Sequence, residues 1–265
     1  MHPNGMQPKI GIIGGTGVYP DKLEIIKEID IHTPYGPPSS SIAIGIMNGI
    51  EVAFLPRHGK NHNIPPHMIN YRSNISALKQ IGIERIISPC AVGSLKEDYK
   101  PGDMVIVDQF IDFTKSRKYT FFDGPKTEHI AIPDPFCPEL NGIAEIECKN
   151  LKINSHNKGA CVCIEGPRFS TRAESKMFRQ FADIISMTIV PECQLAREMN
   201  MCYMSLATIT DYDAWSEETV DASTVSKVME ENSEKIRNLL GAIIPKIPVK
   251  REKCCCPHTL EASAI

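Results

Sequence analysis

Through the second half of this chain, apolar runs of strand length alternate with stretches whose apolar residues recur at helical spacing. That alternation constrains the fold more than any other feature of the sequence. Residues 85–89, 103–107, 159–164, 183–188 and 202–210 read as strands, and 138–151, 171–182 and 191–199 read as helices. A chain of this kind packs into a mixed or mostly parallel sheet flanked by helices, an α/β fold. Local signals agree. Thr171 is placed to cap its helix with Glu174 at the capping-box position, and Pro191 stands at the first position of the next helix.

The first half adds three strands and a helix. Residues 9–13 form a short buried strand that ends in Gly14-Gly15-Thr16-Gly17, and strands at 41–47 and 52–56 flank the hairpin turn Asn48-Gly49. A helix is expected over 67–81, where Ile69, Ile75 and Leu78 share a face and Gly82 stops it. Asp221 or Ser223 caps a last long helix, with Val225, Val228, Met229, Ile236, Leu239 and Leu240 on its apolar stripe. No repeat and no linker divides the chain. A single domain over 1–250 is expected, followed by a Cys-rich tail over 251–265.

With 265 residues the chain can bury a sizeable core. Its 29 basic and 32 acidic side chains give a net charge of −3, so it lacks the basic surface of a general nucleic-acid coat. No apolar run reaches the roughly 18 residues of a membrane span. Ten cysteines would indicate a disulfide framework in a short secreted protein. Here the opening Met1-His2-Pro3-Asn4-Gly5 lacks the apolar core of a signal peptide, so a cytoplasmic protein with reduced thiols is expected. Seven cysteines are scattered through apolar segments and read as small buried hydrophobes, with Cys161 and Cys163 on one face of a strand. The two-residue spacing usual for a structural zinc site is absent, so no metal is expected. Cys254, Cys255 and Cys256 lie beyond the chemistry-bearing segments. They suggest a tail held by disulfides, as in cytosolic proteins of hyperthermophiles.

Polar residues gather at the expected strand ends, where α/β sheets bind their ligands: Thr16, Arg57-His58, Cys90-Ala91, Met187-Thr188, Asp211 and Asp213. The glycine turn is not a dinucleotide fingerprint, because Pro20 stands where a third glycine is needed. Its amides and the Thr16 hydroxyl can still approach an oxyanion. Arg57 can hold a phosphate through two parallel hydrogen bonds. His58, His62 and His67 do not make a metal site, since Gly59 and Pro65-Pro66 break the helix that would align the first two. On a strand, Asp211 and Asp213 project to one side. Carboxyls that close raise one pKa, leaving a proton for general acid catalysis. Adenine suits the pair, because its 6-amino group donates to a carboxylate and its N7 accepts from a carboxylic acid. Each feature also has an ordinary reading: a tight turn, a solvated arginine, an acidic turn, and a core position for Phe169.

In order, Gly11 to Gly17, Pro56-Arg57-His58-Gly59, Glu165 to Ser170, Met187-Thr188 with Pro191-Glu192, and Thr210-Asp211-Tyr212-Asp213 carry a resemblance. From about Lys9 to Pro248 the chain resembles the methylthioadenosine-cleaving branch of the trimeric purine nucleoside phosphorylase family. The resemblance implies a twisted mixed central sheet. It implies the reaction of S-methyl-5′-thioadenosine with phosphate, giving adenine and 5-methylthioribose 1-phosphate. Thr16, Arg57, His58, Cys90, Ala91 and Thr188 would surround phosphate, and Met187 would lie against the ribose with His62 nearby. Phe169 and Ser170 would meet the base, and Asp211 and Asp213 would be the catalytic pair, reading the 6-amino group and N7. Val225, Val228 and Met229 would form the methylthio pocket, and His129 would reach in from a neighbouring subunit of a homotrimer or a dimer of trimers.

No metal or organic cofactor is implied, phosphate being a co-substrate, and neither nucleic acid nor membrane is a partner. Cys90 departs from the family, whose members usually place a serine or threonine hydroxyl there. Three rivals remain. A phosphorylase of 6-oxopurines such as inosine or methylthioinosine would present a neutral donor where the two aspartates stand. A hydrolytic nucleosidase would leave Arg57 without an anion, and a nucleoside-binding protein would bind without turnover.

Overall fold

The structure, a computed structural model, describes residues 9–15, 23–217 and 222–261, with the backbone alone for 222–227. The chain begins with β1 (Ile10–Gly14), β2 (Glu24–Ile29), β3 (Ile42–Met47), β4 (Ile50–Pro56), α1 (Tyr71–Gln80) and β5 (Arg85–Ser94). It continues with β6 (Met104–Ile106), β7 (Gln109–Phe113), α2 (Pro138–Asn150), β8 (Ser155–His156) and β9 (Ala160–Ile164). It ends with α3 (Arg172–Phe178), β10 (Ile184–Ser186), α4 (Ile189–Glu198), β11 (Cys202–Tyr212) and α5 (Ala222–Ile243). All the strands join one 11-stranded mixed sheet. Helices cover both faces. Ile75 and Leu78 of α1 and Leu195 and Ala196 of α4 fill one core. Leu140 and Ala144 of α2 and Leu239 and Leu240 of α5 fill the other.

The branching of the sheet at β5 positions the site. β11 runs parallel to β5 along its whole length, from Cys202 opposite Arg85 to Tyr212 opposite Ser94. On the other side β1 pairs with β5 only as far as Ile87, and β10 pairs with it antiparallel only at Gly93 and Ser94. Between them a stretch of β5 edge has no strand beside it. Pro89, which has no N–H to donate, sits there without breaking a ladder. The gap lies beyond the carboxyl ends of β1 and β4, the place where open α/β sheets take their ligands.

Most local expectations hold. Asn48 and Gly49 take positive φ, 48° and 79°, and turn β3 into β4. The Thr171–Glu174 capping box forms at α3, and Cys161 and Cys163 point into one core with Val162 in another. Val190 is non-helical at φ −106° and ψ 132°, so the regular turns of α4 start at Pro191. Other boundaries move. The helix expected from His67 begins at Tyr71, because Ile69 is extended and the Asn70 side chain accepts from the Ser73 N–H at 3.2 Å. β5 continues to Ser94, so Cys90 and Ala91 lie inside the strand instead of after it.

β2, β7 and β8 are strands that the sequence reading did not place, and β2 is exposed at nearly every position. The expected cap of α5 falls outside the described residues at Asp221, and the Ser223 side chain does too. All ten cysteines are free thiols, so the tail is not held by disulfides in this structure. It packs through Cys256, which is fully buried in the α2/α5 core. Among the described residues, no helix is long and apolar enough to cross a membrane.

Candidate active site

A cavity of about 510 Å³ opens at the branch of β5, lined just after β1 by Gly15, just after β4 by Arg57 and His58, and from β5 by Cys90 to Gly93. Two glycines make room for it. A Cβ on Gly15 would lie 2.7 Å from Arg57 Nη1 and 2.8 Å from the Pro89 carbonyl, so only glycine lets the strands close around the guanidinium. Gly166 has φ +66°, and a Cβ there would sit 2.7 Å from Met187 Sδ. The connection carrying Gly166 is pinned from beneath by Arg117. This buried side chain donates to the carbonyls of Ile164 at 3.2 Å and Glu165 at 2.7 Å, and to the Tyr71 hydroxyl at 3.1 Å.

Arg57 is 1% exposed and mostly committed to the protein. Its Nε and Nη2 donate to the two oxygens of Glu192 at 2.8 and 3.0 Å. Nη2 also donates to Ser88 Oγ and to the Ile13 carbonyl, and Nη1 to the Pro89 carbonyl at 3.3 Å. Of its five N–H groups, one on Nη1 is left for a ligand. The two-pronged grip on phosphate expected of Arg57 is thus replaced by a grip on Glu192. Burial alone would lower the proton affinity of the guanidinium, and the Glu192 carboxylate more than reverses this, so Arg57 is a fixed positive charge. Glu192 also accepts from Ser88 Oγ at 2.6 Å and from Tyr203 Oη at 2.8 Å.

The neighbouring groups are uncharged. His58 Nδ1 lies 2.8 Å from the Ile64 carbonyl, which assigns the proton to Nδ1. Burial, then the positive charge of Arg57, push His58 down to about 4, so its ring is neutral at pH 7. Thr188 caps α4 by position, but its side chain makes no cap hydrogen bond and lines the cavity. Cys90 is buried with Sγ 3.4 Å from Ser205 Oγ, and burial holds its thiol above the ordinary value.

At the end of β11 the two aspartates face the cavity as the strand alternation predicts, although a bulge between Ile209 and Asp211 shifts the register. A Cβ built on Gly93 would touch both, at 3.3 Å from Asp211 Oδ1 and 3.4 Å from Asp213 Cβ. Their surroundings differ. Burial raises the Asp211 carboxyl above its ordinary value and nearby Asp213 adds to this, against a 2.6 Å hydrogen bond from Thr210 Oγ1. Asp213 is buried and accepts from Ser170 Oγ, which leaves its second oxygen for a ligand. Phe169, next in the same loop, is 75% exposed beside the cavity. It is not a core residue.

Ala91, His62, Ser170, Met187 and Met229 complete the set of expected residues that line the cavity. Val228 does not line it, and His129 is exposed elsewhere on the surface. Thr16 and the Val225 side chain lie outside the described residues. Sequence reasoning missed Gly93, Ser186, Ile164, Ile185 and the Asn63–Pro66 wall. It also missed the roles of Ser88, Glu192 and Tyr203 behind Arg57. The one available signal was Glu192 itself, a glutamate in an otherwise apolar helix start.

A family model described as the phosphorylase superfamily matches residues 9–245, and the chain belongs to that family. The S-methyl-5′-thioadenosine phosphorylases of Pyrococcus horikoshii and Saccharolobus solfataricus are 59% and 53% identical to it. These matches cover 96% and 97% of this chain and 98% and 97% of theirs. Among solved structures, a methylthioadenosine phosphorylase from an antarctic soil metagenomic library matches with a TM-score of 0.92 at 42% identity, over 98% of this chain and 93% of its own. Methylthioadenosine phosphorylase from Schistosoma mansoni, in complex with adenine, matches with a TM-score of 0.89 at 35% identity, over 97% and 96%.

Proposed function

We propose that this chain cleaves S-methyl-5′-thioadenosine with inorganic phosphate, releasing adenine and 5-methylthioribose 1-phosphate. The observation that carries the reading is one cavity lined both by a carboxyl raised above its ordinary value, Asp211, and by the Arg57, His58 and Thr188 cluster. Breaking the N-glycosidic bond leaves positive charge on the ribose and negative charge on the base. Asp211 delivers a proton to N7 of the leaving purine, while Asp213, held by Ser170, accepts from the 6-amino group. Phosphate sits against Arg57, Thr188 and the backbone of Cys90 and Ala91, below the developing oxocarbenium, and its own P–OH donates to the free Nε2 of neutral His58. Positioning and electrostatics carry the attack on C1′. Protein groups and phosphate supply every charge the reaction needs, so the chemistry calls for no cofactor.

Phe169 covers the base. Its exposure beside the cavity leaves a ring face for stacking, and Phe169→Ala is expected to raise the nucleoside KM by about 2- to 10-fold with little change in kcat. Cys90 offers phosphate a weak donor. Cys90→Thr is expected to lower the phosphate KM by about 2- to 10-fold in steady-state assays, and an unchanged value would remove Cys90 from the phosphate site. Met229 provides the apolar surface for the methylthio group.

The reading includes a homotrimer or a dimer of trimers, in which His129 serves a neighbour's cavity. The surface position of His129 and the part-exposed Phe113 and Phe181, stacked at 5.9 Å, support it. It also includes a cytoplasmic setting, in keeping with ten free thiols. Substrate choice tests the base reading. At saturating phosphate, kcat/KM for methylthioadenosine should exceed that for methylthioinosine by about 100-fold or more, and Asp213→Asn should narrow the gap. Equal turnover of the two by the wild-type protein would favour a 6-oxopurine enzyme.

A further inference from the structure

Four cysteines from three distant parts of the chain meet at the far end of β11. The sulfurs of Cys137, Cys202, Cys254 and Cys256 all lie within 4.8 Å of one another, and those of Cys202 and Cys254 are 3.6 Å apart. None lines the cavity, and Cys202 is separated from Asp211 by nearly the whole strand, about 30 Å at the usual rise. Cys137, Cys202 and Cys256 are fully buried, and Cys254 packs against the same core.

The backbone holds each sulfur in place. Cys137 occupies the N-cap position of α2, and its N–H donates to the Tyr203 carbonyl at 2.8 Å, which ties it to the residue after Cys202. Cys256 opens the short 3₁₀ turn Cys256–His258. The tail around it is fastened independently. Arg251 donates to the Asn200 carbonyl at 2.7 Å, the Leu260 N–H donates to Asn200 Oδ1 at 3.1 Å, and Thr259 Oγ1 donates to the Cys256 carbonyl at 3.0 Å.

Ordinary burial does not account for this convergence. Thiols are weak donors and weak acceptors, so four of them facing one another gain little from hydrogen bonding. Other buried cysteines, Cys148, Cys161, Cys163 and Cys193, do not assemble this way among the described residues. The spacing instead matches a metal tetrahedron. With Zn–S bonds of about 2.3 Å, neighbouring sulfurs lie about 3.8 Å apart, whereas a disulfide needs about 2.05 Å. Four thiolates around a divalent ion leave two negative charges, and a cation stands beside them. Arg197 is 1% exposed, donates to Thr259 Oγ1 at 3.2 and 2.9 Å, and lies 3.8 Å from Cys255 Sγ. The positive end of α2 at Cys137 adds to the compensation.

We propose that Cys137, Cys202, Cys254 and Cys256 form a structural tetrathiolate site for one Zn²⁺, which locks the C-terminal tail onto the start of β11 and the start of α2. Four S–H bonds are exchanged for four S–Zn bonds, up to four protons are released, and no electron is transferred. The Cys254-x-Cys256 pair supplies two ligands from the tail, and the folded core supplies the other two. The site stands apart from the cavity, so metal content and phosphorolysis can be read separately.

The test uses the full chain, produced with zinc in the medium and purified under reductant without chelator. Elemental analysis and native mass spectrometry are expected to find about one zinc per chain. Co²⁺ in its place should give the intense visible bands of a tetrahedral thiolate complex. Cys254→Ser and Cys256→Ser should lose the metal, and Cys255→Ser should keep it. If a ligand variant does not fold, the wild-type protein answers alone. Chelation should lower its Tm and open the tail to carboxypeptidase, and Zn²⁺ but not Mg²⁺ should reverse both. A wild-type chain that takes up no zinc under reductant overturns the proposal, whether its thiols all titrate or have paired as disulfides.

Discussion

Replacing Asp211 with asparagine is expected to lower kcat for phosphorolysis by about 10²- to 10⁴-fold while changing the nucleoside KM little. The asparagine amide can still donate a hydrogen bond to N7, but it has no proton to give up as the glycosidic bond breaks. The pH dependence follows from the environment of Asp211. Burial, with a further push from Asp213, holds its carboxyl above the ordinary value in spite of the Thr210 hydrogen bond. The protonated form is the active one, so wild-type kcat/KM should fall as pH rises through that raised value, and the variant should lack this limb. Stability has its own sign. A raised folded pKa gives stability that is fully present below the unfolded pKa and is lost as pH rises through the folded one. Above that raised value the wild type has lost the contribution, so there Asp211→Asn should melt at a higher temperature than the wild type, and the difference should shrink as pH falls below it. Wild-type kcat in the variant would place the proton donor elsewhere.

Glu192→Ala is expected to have the largest effect on stability. Glu192 is fully buried and accepts from Arg57, Ser88 and Tyr203, so its removal leaves a buried guanidinium without its counter-charge. Breaking such a pair costs about 3–5 kcal/mol. In a chain of this size that corresponds to a fall in Tm on the order of 10 °C. Phosphate saturation should also weaken, because Glu192 fixes the plane from which Arg57 Nη1 faces the cavity. Replacing both partners, Arg57→Leu with Glu192→Leu, removes the stranded charge and should restore much of the Tm but none of the phosphate binding. Calorimetry on the two single variants and the double variant, with phosphate KM measured alongside, separates the two roles. A Glu192→Ala Tm within a degree or two of wild type would mean that the pair carries little of the fold.

These two predictions differ in how visible their residues are in the sequence. Asp211 and Asp213 can be read from strand alternation because Asp211 lies at the end of β11 and Asp213 directly follows its last residue, and the bulge before Asp211 leaves them facing the same cavity. The Asn48-Gly49 turn and the Thr171–Glu174 cap are likewise settled within a few residues. Glu192 is different. Its donors come from positions 57, 88 and 203, brought together only by packing β4, β5 and β11 behind α4. Local rules end the strand at Pro89, yet β5 runs through it because neither β1 nor β10 needs a donor there. β2 escapes notice because its exposed positions show no apolar rhythm. The cysteines are the extreme case: no local spacing pairs 137 with 202, or either with the tail, and only the fold puts them at the corners of one site.

Incubating the protein with S-methyl-5′-thioadenosine, with and without phosphate, and identifying both products tests the central claim most directly. Adenine should appear only when phosphate is present, in amounts equal to the 5-methylthioribose 1-phosphate formed. Adenine released with free 5-methylthioribose in phosphate-free buffer would contradict it and make the enzyme a hydrolase.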